Sequence, residues 1–202
     1  MLIEHQGMSP SVDPSALVAP TAVLCGDVRV GPETRILFGA VATAEGGPVE
    51  IGGRCIVMEN AVIRGSARHP VKIADRVLVG PRAYLSGCTV EEDAFLATGA
   101  TVFNGARIGS RAEVRINGVV HVRTVVPPSA TVPIGWVAVG DPAEILPPAE
   151  HDRIWAIQRE LGFSKEVWGL EPPAEGQTNM PEITRRYSMA LAAHREDRIV
   201  GA

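Results

Sequence analysis

Aliphatic side chains recur along this sequence at every sixth position. Val12, Val18, Leu24, Val30, Ile36 and Ala42 form the first run. The register then lengthens by three residues to Ile51 and continues through Val57 and Ile63. After four extra residues it resumes at Ile73, Val79 and Leu85. One residue early, it resumes again at Val90, Leu96, Val102, Ile108, Val114, Val120, Val126 and Val132. Four places after most of these comes a small side chain, as at Ala22, Ala40, Ala61, Ala83, Ala100 and Ala112, and glycine often follows directly, as at Gly31, Gly52, Gly80 and Gly109. A six-residue period matches neither the 3.6 of an α-helix nor the simple alternation of a half-buried hairpin. It matches a β-solenoid in which each hexad is one short strand plus a turn. Three hexads close a triangular coil, and the aliphatics stack into an interior ladder. An ordinary β-sandwich would instead show period-two alternation with turns every 8 to 12 residues or so.

Beyond Val132 the pattern changes. The stretch VPIGWVAVGDPAEILPP is punctuated by Asp141-Pro142 and Pro147-Pro148, which predicts the end of the solenoid there. The expected division is a β-solenoid over residues 1–147 and a C-terminal helical extension over 148–202. Ile154, Ile157 and Leu161 fall at helical spacing beside Trp155, predicting an amphipathic helix over 150–161. The Pro/Gly-rich stretch GLEPPAEGQTN reads as a loose linker. PEITRRYSMALAAHRED reads as a second helix, with Pro181 in its first turn and Ile183, Tyr187 and Leu191 on one face. The helices are expected to cover the flank of the solenoid or a neighbouring subunit.

Composition sharpens this picture in one respect. Aromatic residues make up only 4% of the chain, against 21 glycines and 16 prolines, so the core must be narrow and built from small aliphatics. A net charge of -4 supplies no basic field for nucleic acid or an anionic membrane surface, and neither is an expected partner. The start, MLIEHQGMSP, lacks a basic segment followed by an apolar run, and no stretch reaches membrane-spanning length, so a cytoplasmic protein is expected. Cys25, Cys55 and Cys88 are odd in number and widely spaced, which predicts buried packing rather than a redox or zinc motif.

Once the register skips are respected, residues one coil apart stack in columns. One outward column reads Arg64, Ser86, Phe103 and His121; another, from the preceding edge, reads Glu59, Pro81, Thr98 and Ile116. These columns carry a resemblance. The segments GDVRVG, VEIGGRCIVMENAVIRG, HPVKIADRVLVGPRAYLSGCTV, ATGATVFNGARIG and VAVGDPAEI resemble the gamma-class carbonic anhydrase branch of the hexapeptide-repeat proteins, over roughly Val18 to Ile145. The resemblance implies a left-handed parallel β-helix, a homotrimer, and a cleft between subunits where three histidines hold a catalytic zinc.

Family members typically read Q-D-x-V-x-I-H where this chain has Met58 to Arg64, and G-H-x-A-x-x-H-G-C where it has Gly80 to Cys88. The three ligand positions fall on Arg64, Pro81 and Ser86. The family's L-R-G-D strand end becomes Ala42-Thr43-Ala44-Glu45. Catalytic zinc needs three protein ligands around an open position, and the fixed cation of Arg64 repels a divalent metal. The expectation is therefore a protein without a metal or other cofactor, and not a carbonic anhydrase. Its cleft would take a small, anionic molecule or support metal-independent chemistry. Arg64 and Arg82, whose planar forks suit carboxylate or phosphate, lead the ligand-binding candidates, with His69, Asn104, Thr98 and Ser86 beside them. His121 as general base, Tyr84 and Glu59 are the catalytic candidates.

Competing readings attach to the same residues. Glu59 can be a plain ion-pair partner of Arg64 or Arg82 across the subunit boundary. A relocated metal site would use His69, His121 and Glu59. Two other functions are open: a hexapeptide acyl- or acetyltransferase with His121 as base, and a non-catalytic scaffold whose C-terminal helices dock a partner.

Overall fold

Each hexad aliphatic points inward and stacks on its counterpart in the next coil. In the computed structural model, which describes residues 1–201, the strands form one ten-stranded sheet and two seven-stranded sheets. Pairing is parallel and in register: Val12 on Val30, Val18 on Ile36, Leu24 on Ala42 and Ile63 on Leu85 are direct partners. The three interior columns are thus the three interleaved thirds of the hexad series. One runs Leu24, Ala42, Ile63, Leu85, Val102, Val120 up the ten-stranded sheet. Val30, Ile51, Ile73, Val90, Ile108 and Val126 form the second. The third holds Ile36, Val57, Val79, Leu96, Val114 and Val132. Nearly all are fully buried, as are the corner alanines Ala22, Ala61, Ala83, Ala100 and Ala112. The architecture is the parallel β-solenoid that the hexad period predicts.

The register skips have a structural purpose. Extra residues follow the strands Val41–Glu45 and Val62–Ser66, the longest in the chain, which pair over their whole length from Val62 on Val41 to Ser66 on Glu45. Both insertions leave the same corner, and together they build a ledge that carries Glu45, Ser66, Arg68 and His69 at its edge.

The last solenoid strand, Val137–Val139, folds back antiparallel on Glu144–Leu146. Helix α1 (His151–Leu161) then buries Ile154 against Val139 and Leu146 and caps this end. Gly162 adopts the left-handed conformation (φ 64°) that ends α1, and a second helix, α2 (Phe163–Trp168), starts at once. Residues 170–179 carry no helix or strand. Helix α3 (Met180–Leu191) and a 3-10 turn (Ala192–Glu196) follow. Two features differ from expectation. A short helix, α2, stands just before the linker, and the chain returns as a strand, Arg198–Gly201, paired antiparallel to Leu2–Glu4. That return covers the exposed edge of the first coil, as an unpaired strand edge requires. Residue 202, the end of the expected extension, lies outside the described residues. Among the described residues no helix is long and apolar enough to cross a membrane.

Candidate functional site

Arg64 and Ser86 are direct neighbours in the ten-stranded sheet. Their flanking residues Ile63 and Leu85 point into the core, so strand alternation sends Arg64, Tyr84 and Ser86 outward together. They meet Asn104, almost fully buried, and Glu45 from the ledge around a cavity of about 90 Å³, roofed by Val167 and Tyr187 from the C-terminal region. An adjoining cavity of about 240 Å³ shares Glu45, Arg64, Ser66 and Tyr187 and adds Arg186 from α3. Arg64 is held loosely: its Nη2 lies 3.7 Å from Glu45 Oε1. Arg186, by contrast, is engaged by Glu182 at 2.6 Å.

Further along the same column an aromatic stack replaces polar chemistry. Phe103 lies 6.3 Å from Tyr84 and 6.2 Å from His121, ring centre to ring centre. Helix α2 lays Phe163 over Phe103 and His121, 5.8 Å from each, with Trp168 packed edge-on behind it at 5.3 Å. Two contacts with the ledge pin α2 down. His69 Nε2 sits 3.0 Å from Glu166 Oε1, and the Arg68 guanidinium donates to the Lys165 carbonyl at 3.3 Å. His121 is 7% exposed and its Nδ1 has no hydrogen-bond partner. Burial among rings holds its pKa below the ordinary 6.5.

The sign of that shift gives a prediction. The unfolded chain takes up the His121 proton more readily than the folded one, so stability is present above pH 6.5 or so and is lost as pH falls through the depressed folded value. Denaturant midpoints measured between pH 8 and 5 should decline for the native chain more steeply than for His121→Phe; parallel curves would contradict the burial of a neutral imidazole.

The nine predicted site residues therefore divide. Arg64, Tyr84, Ser86 and Asn104 share one cavity. His69 and His121 lie at its margin under α2, with His121 separated from the cavity by Phe103. Thr98 lines a different groove, of about 490 Å³, together with Pro81, Met58, Phe95, Ile116 and Ile134. Glu59 and Arg82 occupy the corner strip beside that groove, linked only through backbone, where the Arg82 N–H donates to the Glu59 carbonyl at 2.9 Å. Arg82 holds a left-handed φ of 56° there. Among the described residues neither arginine pairs with Glu59 in this chain; Arg64 has Glu45 instead. Column arithmetic gives height along the solenoid, and the corner between two faces keeps these groups apart. His69, Glu59 and His121 likewise form no metal-ligand group among the described residues. The donor set in the Arg64 cavity does not fit zinc either, because its lining residues include no imidazole or thiolate and a guanidinium has no free lone pair.

All three cysteines are buried and free. Cys88 is pushed up to about 12 by burial, which makes it an inert packing group. Sequence reasoning missed Glu45, Glu166, Phe163 and Trp168. One signal was available for α2: in a chain with four Phe and three Trp, one of each falls inside the single short run FSKEVW.

No protein-family model matches the chain. A curated relative, gamma carbonic anhydrase 1, mitochondrial, from Arabidopsis thaliana, is 33% identical over 144 residues, covering 68% of this chain and 50% of the relative. A carbonic anhydrase from Geobacillus kaustophilus is 29% identical over 159 residues, covering 79% of this chain and 84% of that one. The chain is similar to the gamma carbonic anhydrases. It spans about half the length of the plant relative that it matches. Among solved structures, a hexapeptide transferase family protein from Anaplasma phagocytophilum superposes with a TM-score of 0.52 at 25% identity, over 80% of this chain and 92% of that one.

Proposed function

We propose that this chain is a gamma-carbonic-anhydrase-like protein whose Arg64 cleft holds no zinc, a homotrimer that binds a small carboxylate-type anion in that cleft and does not hydrate CO2. The observation that carries the reading is the loosely paired Arg64 guanidinium facing a small cavity beside the Tyr84 and Ser86 hydroxyls and the Asn104 amide. Every one of those groups can donate a hydrogen bond, and a charged donor roughly doubles the strength of each bond it makes. The resemblance puts the family's three histidines at Arg64, Pro81 and Ser86; of these, Arg64 and Ser86 bring donors to this cavity, while Pro81 lines the separate Thr98 groove. Support for the trimer comes from the Pro81–Thr98 groove, where exposed Ile116 and Ile134 form an apolar strip suited to a neighbouring subunit. Acyl transfer with His121 as base fits less well, since Phe103 and Phe163 enclose the imidazole.

Calorimetric titration with formate, acetate and bicarbonate tests the reading. Saturable binding is expected, and Arg64→Ala should weaken it at least tenfold or so, the equivalent of losing one hydrogen bond to a charged group at about 1.5–3 kcal/mol. Zinc-supplemented protein should not accelerate CO2 hydration. Binding that ignores the Arg64 substitution, or zinc-dependent hydration, would contradict the proposal.

A further inference from the structure

Where the two ends of the chain meet, four side chains from distant parts of the sequence converge. His5 follows the strand Leu2–Glu4 in a tight bridge with Met8. Cys25 ends the strand Val23–Cys25, directly beside Ile3. His194 lies in the 3-10 turn, and Asp197 closes that turn just before the returning strand. One donor atom from each of the four lies within 4.8 Å of the others. Asp197 is the hub: its Oδ1 is 2.7 Å from His5 Nδ1, and its Oδ2 is 2.8 Å from His194 Nδ1 and 3.7 Å from Cys25 Sγ. The two imidazoles stack with centroids 4.2 Å apart.

We propose that His5, Cys25, His194 and Asp197 form a four-ligand site for zinc or a zinc-like divalent cation that staples the returning C-terminal strand to the first coil. The donor chemistry is zinc's own: two nitrogens, one sulfur and one carboxylate oxygen, the soft and borderline ligands that distinguish it from magnesium or calcium. Bond lengths of about 2.0–2.3 Å to a tetrahedral ion separate ligand atoms by about 3.3–3.8 Å. The Cys25 to Asp197 separation already lies in that range, and the imidazole–carboxylate bonds need to open by roughly half an ångström or more. Charge also balances, because a thiolate, a carboxylate and two neutral imidazoles neutralise a dication.

Independent features frame the site. His5 and Cys25 are buried while His194 and Asp197 are half-buried, which leaves one side open for entry. Glu45 Oε2 lies 3.4 Å from His194 Nε2, on the ring nitrogen that would not bind metal, the outer contact that usually orients a ligating histidine. Thr43, the register partner of Cys25, buries a hydroxyl with no hydrogen-bond partner. Four protein ligands close the coordination sphere, so this site is structural and supplies no metal-bound water. It shares Glu45 with the Arg64 cleft but none of its four ligands, so either reading can fail without the other.

The test uses the full-length protein, stripped with chelator and titrated with Co2+ and then Zn2+. One equivalent of cobalt per chain is expected, with the intense visible bands of tetrahedral coordination and a thiolate-to-cobalt charge-transfer band. Cys25→Ser should abolish the charge-transfer band, and Glu45→Gln should weaken binding roughly 10- to 100-fold. Zinc should also slow amide exchange across the Arg198–Gly201 strand. No stoichiometric uptake by the native chain, or a charge-transfer band that survives in Cys25→Ser, would overturn the proposal. Asp197→Asn provides a second variant should Cys25→Ser fail to fold.

Discussion

Leu85→Ala is expected to lower the free energy of unfolding by about 2–5 kcal/mol, the range for removing a large aliphatic from a packed core. Leu85 is fully buried and stands in the column between Ile63 and Val102. A triangular coil has little freedom to collapse around a missing side chain, because each face is tied by parallel pairing to the coils above and below. The loss therefore remains largely as a cavity, and the cost belongs in the upper part of the range. Each coil touches only its neighbours, so faster amide exchange should concentrate in Val62–Ser66 and Thr101–Val102 and leave Val137–Val139 less affected. Because Tyr84 and Ser86 flank Leu85, anion binding should fall as well. Arg107→Ala, at an exposed ion pair with Glu91, should stay within about 0.5 kcal/mol and serves as the control. Chemical denaturation of the two variants decides the matter: equal midpoints would contradict a ladder that carries the stability.

Gly65→Ala is the second large effect expected. Gly65 directly follows Arg64, and a Cβ there would lie 2.4 Å from the Gly47 carbonyl oxygen and 2.8 Å from that of Pro48. Both are backbone atoms of the coil below, so no side-chain rotation relieves the clash, and the ledge itself has to move. Only glycine allows the two insertions to stack this closely. A destabilisation of about 1–3 kcal/mol or more follows from overpacking of this kind. The functional consequence is more specific. Moving the ledge displaces Glu45 and Arg64 together, so anion binding should be lost although every side chain of the cleft is still present. Thermal unfolding combined with the acetate titration measures both effects, and a variant with native stability and affinity would contradict the close approach.

Much of the fold can be read from the chain because the same demand repeats coil after coil. Every interior position of a narrow triangular core accepts the same few aliphatics, so the hexad series, including its skips, maps residue by residue onto the three columns seen here. The amphipathic spacing of Ile154 and Ile157 is legible for the same reason, and both pack at the capped end. The candidate site is only partly legible. Arg64, Ser86, Phe103 and His121 share a column as their spacing predicts. Thr98, Glu59 and Arg82 are placed at the right height but around a corner. What covers the cleft depends on contacts with no periodic signature. Helix α2 is too short to announce itself, and its position rests on Phe163 meeting Phe103 and on Glu166 meeting His69. The strand Arg198–Gly201 and the junction of His5 with Asp197 join opposite ends of the chain, a pairing that no local pattern encodes.

Anomalous diffraction at the zinc edge, from crystals of the zinc-equilibrated protein grown with acetate, tests the nature of the Arg64 cleft most directly. The expected map has no anomalous peak between Arg64 and Ser86, and shows planar density for the anion against the Arg64 guanidinium. A fully occupied zinc peak in that cleft, within one chain or shared across a subunit boundary, would contradict a site run by charge and hydrogen bonds.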